Sequence, residues 1–116
     1  LQELLDGGLA TLDGIAGDLA DPDAHEDGYD QLAIAPTLSL FDALDALDLA
    51  VEQPVLLFTS RQDHVVNPAS SQLLVERARN GVDHVFLERS FHVATLDHDH
   101  ALIEQRAVAF LRTLWR

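Results

Sequence analysis

Two loops in this chain carry residue types that could move a proton. Pro54-Val-Leu-Leu-Phe-Thr-Ser60 is an apolar run followed by Arg-Gln-Asp63-His-Val-Val-Asn-Pro68. Asp83-His-Val-Phe-Leu-Glu88 is a second such run, followed by Arg89-Ser-Phe-His92. In open α/β sheets, function gathers beyond the carboxyl ends of strands. An aspartate there that accepts from one imidazole nitrogen fixes the tautomer and frees the other nitrogen to take a proton from a nucleophile. General-base help of this kind contributes about 10²–10⁴-fold. The plainer reading is that Asp63 makes a turn or cap and His92 is a solvated or packed side chain. Position alone leaves both readings open.

Other polar groups point to weaker chemistry. Asp97-His98-Asp99-His100 could catch a divalent metal, but adjacent positions at a helix start face different ways, whereas ligands must converge. Asp97 and Asp99 are expected instead to complement a helix amino terminus. His64 reads as a loop-packing or substrate-side residue, and His84 and His25 read as surface residues. The acidic run from Asp18 to Asp30 lacks the ligand alternation and closing Glu of a Ca²⁺ loop, so a solvated loop is expected. No cofactor or metal is called for.

The elements that must hold these residues differ along the chain. Residues 1–20 place Leu4, Leu5, Leu9, Leu12, Ile15 and Leu19 at helical spacing, interrupted by Gly7, Gly8, Gly14 and Gly17. Each glycine costs about 1 kcal/mol against Ala, which predicts a short or broken helix. Residues 18–29 read as a loop. Residues 36–50 read as a helix with Leu40, Phe41, Leu44 and Leu47 on one face. The unalternating run at 54–60 reads as a strand covered on both faces. Helices at 69–80 and 99–115 and a strand at 83–88 follow, with Gly81 as a left-handed cap. This order predicts a parallel strand pair with a right-handed crossover. Residues 1–50 offer only helix and loop on this reading. Two parallel strands are no independent sheet, so a larger α/β sheet is implied.

Composition narrows the class. The 116 residues are 47% hydrophobic and 23% charged, which excludes disorder, and no apolar run is long enough to span a membrane. There is no cysteine, so a disulfide scaffold is excluded. A net charge of −13 argues against nucleic acid as a partner. Residues 1–60 hold 13 acids and no Arg or Lys, while residues 61–116 hold seven acids and seven Arg. With no methionine and a Leu1 start, a fragment, a processed product or a sequence lacking its start is expected. No basic residue precedes position 30, so no secretory signal is visible, and a cytoplasmic location is expected.

PVLLFTSRQDHVVNP followed by LERSFHVATLDHD resembles the carboxyl-terminal part of α/β-hydrolase carboxylesterases, the group that includes monoacylglycerol-lipase-like enzymes. The resemblance is specific over 54–100, extends to 116, and is weaker over 1–50, where ADPDAHEDGYDQLAIAPTLSL looks like part of the family's helical cap. It implies an α/β fold: a cap remnant and return to the core over 1–52, then the last two parallel core strands with flanking helices over 53–116. It implies Asp63 as the triad acid, His92 as the triad base, and hydrolysis of a small-molecule carboxylic ester by a covalent serine route. The family places its serine in a G-x-S-x-G elbow before the acid, and no such motif occurs here. Ser39, Ser60, Ser70, Ser71 and Ser90 all lie outside an elbow, so this chain alone is expected to be inactive. The alternative is a catalytically dead, truncated hydrolase that pairs its exposed sheet edge with another protein or a second copy.

Overall fold

A computed structural model describes residues 1–48 and 50–115. Leu49, at the tail of the helix expected over 36–50, and Arg116, the last residue of the resemblance, lie outside the described residues. The chain forms two compact units. One comprises residues 1–16 and 27–48; the other comprises 17–26 and the chain after 48.

In the first unit, α1 (Gln2–Asp6) stops where the glycines predict. Gly8 takes φ +90°, and its N–H and that of Leu9 donate to Leu5 O and Leu4 O. That pattern is a Schellman motif, which satisfies carbonyls the helix end would otherwise orphan. The rest of the expected broken helix is not helical. Thr11–Asp13 forms β1, which pairs antiparallel with β2 (Gln31–Ala33) in the register Leu12↔Leu32. The expectation of only helix and loop before residue 50 is therefore corrected. Three-residue strands lie below the length at which alternation can be read from sequence.

Ile34 opens α2 (Ile34–Asp45), donates its N–H to Ala10 O, and is completely buried. Pro36 falls in the first turn, where no intrahelical N–H bond is lost. The Leu40, Phe41, Leu44 and Leu47 side chains remain exposed.

In the second unit, β3 (Val55–Ser60) and β4 (Val82–Leu87) pair in parallel from Val55↔Val82 to Ser60↔Leu87, with α3 (Ser70–Arg77) between them in sequence and α4 (His100–Leu114) after. The α/β core is the one expected. The third helix ends at Arg77 rather than residue 80, and Gly81, at φ +79°, turns the chain into β4 rather than capping the helix directly.

Strand alternation puts Leu57, Thr59, His84 and Phe86 on one face and Phe58, Ser60, Asp83 and Leu87 on the other. On the first face, Thr59 Oγ1 lies 2.6 Å from Ser71 Oγ of α3 and 2.8 Å from His84 Nε2. His84 is thus half-buried and partnered, not the surface residue its strand position suggested. On the second face, Arg106 of α4 reaches Asp83 at 3.0 Å. Val55 to Phe58 are only half-buried, and among the described residues β3 pairs with β4 alone.

Gly14 tests the small antiparallel ribbon. Its N–H donates to Asp30 O, and a Cβ at this position would sit 2.0 Å from Tyr29 O. Backbone cannot yield as a flexible side chain would. Gly14→Ala is expected to cost roughly 1–3 kcal/mol of stability, the usual scale of overpacking. Denaturant unfolding followed by circular dichroism measures this; an unchanged midpoint would exclude the close approach.

Candidate active site

Asp63 lies three residues beyond β3, in a loop that folds around its own carboxylate. Oδ1 accepts from the N–H of Val65 (2.9 Å) and Val66 (2.7 Å), which fixes the side chain and leaves Oδ2 for an outside donor. That donor is His92 Nδ1, at 2.9 Å. A carboxylate can only accept, so Nδ1 carries the proton of this bond, and in the neutral ring Nε2 holds the lone pair. The two side chains are 14% and 35% exposed: the acid is shielded while the imidazole stays reachable. Burial alone would raise the Asp63 pKa, but the bonds from His92, Val66 and Val65 together outweigh it and hold the carboxyl below its ordinary 3.8. A cavity of about 350 Å³ borders the pair, with Phe58, Ser60, Ser71 and Ile103 also in its lining.

The serines near this cavity are otherwise engaged. Ser60 Oγ donates to Ser90 O, Ser71 Oγ meets Thr59, and Ser90 Oγ donates to Asp99 Oδ2 at 3.0 Å. Among the described residues, no group of three or more His, Asp or Glu side chains converges as metal ligands would. Asp97 and Asp99 also make no side-chain cap on α4. Their carboxylates turn back into the loop that carries His92.

Asp97 is completely buried and accepts four backbone N–H groups. Those of Ala20 (2.8 Å) and Phe91 (2.9 Å) meet Oδ2; those of Asp21 (3.0 Å) and His98 (2.7 Å) meet Oδ1. Burial pushes its pKa up, and these four bonds together more than reverse that. Asp99 is opposed by burial in the same way and lowered by Arg89 N–H and Ser90 Oγ, at 2.9 and 3.0 Å.

Asp18 escaped the sequence reading, which took its whole segment as solvated loop. Its carboxylate accepts from His64 Nδ1 (2.8 Å), His64 N–H (3.2 Å) and His92 N–H (3.0 Å). Burial raises its pKa, and those three bonds with the charge of His64 bring it below 3.8. His64 also meets Phe91 edge-on, with centroids 4.5 Å apart, so its packing role is the one anticipated. Partners 46 and 74 residues apart leave no local signal by which Asp18 could have been found.

No protein-family model matches the chain. It is similar to a thermostable monoacylglycerol lipase of Bacillus sp. (strain H-257), with 32% identity over 103 residues, 85% of this chain and 41% of that one. It is also similar to a solved structure reported for the metagenome-derived lipolytic enzymes LipS and LipT. That match has a TM-score of 0.79 at 34% identity and covers 90% of this chain and 44% of that one. The chain thus spans less than half the length of these two relatives.

The Asp97 cluster gives an acid-stability signature. Its carboxyl pKa is lower folded than unfolded, so its contribution is complete well above 3.8 and is lost as pH falls through the folded value. Asp97→Ala leaves four backbone donors unpaired and is expected to cost on the order of 3 kcal/mol at pH 7. The gap to the parent protein should narrow below pH 3.8. Urea melts at pH 7 and pH 3 check this; a gap independent of pH would contradict the assignment.

Proposed function

We propose that this chain is part of an α/β-hydrolase of the esterase and lipase group, as its similarity to the two lipolytic relatives suggests, and that Asp63 and His92 are the acid and the general base of a serine triad hydrolysing carboxylic esters. The observation that carries this reading is the 2.9 Å bond from His92 Nδ1 to an Asp63 carboxylate already anchored by two backbone N–H groups. Nε2 then takes the proton of a serine hydroxyl as that oxygen attacks the ester carbonyl. The resulting imidazolium, stabilised by Asp63, returns the proton to the leaving alcohol. A water deprotonated by the same nitrogen releases the acid. The nucleophile and the oxyanion donors come from outside these 116 residues, and the substrate is a small-molecule carboxylic ester. Among the described residues β3 and β4 pair only with each other, which favours a second reading, an inactive module that associates with another protein or a second copy through a strand edge.

Fluorophosphonate labelling separates the two. The complete protein carrying this chain is expected to be labelled at a serine outside it, and the 116-residue chain is expected to remain unlabelled. In the complete protein His92→Ala should abolish turnover of a p-nitrophenyl ester, and Asp63→Asn should reduce kcat by about 10²–10⁴-fold. Near-normal rates in either variant would refute the roles. Labelling of a serine within the chain would refute the external nucleophile.

A further inference from the structure

We infer that Asp18 is a positioning residue that locks the acid-bearing loop to the base-bearing loop, an inference that rests on the Asp63–His92 reading. The two loops follow neighbouring strands and already meet through the Asp63–His92 bond and through Ser60 Oγ, which donates to Ser90 O; Asp18 adds a bridge from a third segment. Asp18 touches both. From the acid loop it takes the N–H and Nδ1 of His64, the residue next to Asp63. From the base loop it takes the N–H of His92 itself, and its own carbonyl accepts from Val93 N–H at 3.2 Å.

The contact continues at the His64 ring, against which Phe91 packs edge-on. Phe91, His92 and Val93 are therefore each fixed by Asp18 or by the imidazole that Asp18 holds. Asp18 is 16% exposed and His64 61%, so the carboxylate is sheltered and its histidine partner forms the outer wall. An aspartate suits this place because its two oxygens divide the work. Oδ1 meets the His64 ring, while Oδ2 meets the two backbone N–H groups. The result is a second Asp–His pair that braces the first rather than duplicating its chemistry. Displacement of a reacting group by about 1 Å costs on the order of 10²-fold in rate, so bracing at the His92 backbone is felt at Nε2.

The test uses the complete protein and two substitutions. Asp18→Asn keeps one oxygen for the N–H groups of His64 and His92 and turns its amide towards His64 Nδ1. His64 should then switch from the Nδ1–H to the Nε2–H tautomer in long-range ¹H–¹⁵N ring spectra. His92 should stay Nδ1–H, with kcat within about threefold of the parent. Asp18→Ala removes every side-chain bond. It should speed hydrogen exchange of the His92 amide about tenfold or more and lower kcat about 10–100-fold, with KM within twofold. Should Asp18→Ala fail to fold, the Asn tautomer switch still decides. His64 remaining Nδ1–H in Asp18→Asn overturns the inference, as does parental exchange and kcat in a folded Asp18→Ala. Absence of an Asp63-dependent Nδ1–H on His92 in the parent protein would instead bring down the triad reading itself.

Discussion

A single buried carboxylate determines how the loop after β4 is built. Asp97 gathers N–H groups from residues 20, 21, 91 and 98 onto its two oxygens, joining an early stretch of chain to the approach and exit of the histidine loop. An ionised group is costly to bury without partners, and four short backbone bonds are what make full burial tolerable here. The donors are main-chain atoms, so the carboxylate specifies a backbone path rather than a set of side chains. Ser90 and Asp99 repeat the device on a smaller scale, exchanging bonds in both directions and holding Arg89 N–H where β4 gives way to the loop.

Around that knot, the geometry of the Asp63–His92 pair follows from which atoms are already occupied. Two N–H groups hold Oδ1 of Asp63, so only Oδ2 is left for the imidazole. The backbone of His92 is tied on one side by Phe91 N–H to Asp97 and on the other by its own N–H to Asp18. Preorganisation of this sort places the restraint in the folded loop, before any substrate arrives. Surface ion pairs such as Arg61–Glu88 and Arg79–Glu52 add little, since both partners stay in water.

The legible part of this molecule was the part written in local patterns. The unalternating VLLF run, the helical spacing before and after it, and the acid and histidine at strand ends led to the parallel pair and to Asp63 and His92. What escaped had no local period. The three-residue ribbon strands are too short to show alternation. Asp18 bonds to His64 and His92, 46 and 74 residues away, so it looks like one more acid in an acidic stretch. Asp97 takes two of its four donors from Ala20 and Asp21, 77 and 76 residues back, so its neighbours suggested a helix-end charge instead. His84 looked like surface until Thr59 on the neighbouring strand supplied its bond. Long-range hydrogen bonding was the missing information in each case.

The compact units alternate along the chain: residues 17–26 belong with the sheet, although the segments on either side belong with the ribbon and α2. Evolutionary exchange of the helical region is constrained by this interleaving. A recombination replacing everything ahead of β3 in one block would carry away Asp18 and two of the four donors to Asp97. Swapping residues 27–48 alone would leave both knots tied. Lineages that diversify this region should therefore keep the ten residues 17–26 with the sheet, while changes within 27–48 answer to the ribbon and to Ile34 instead.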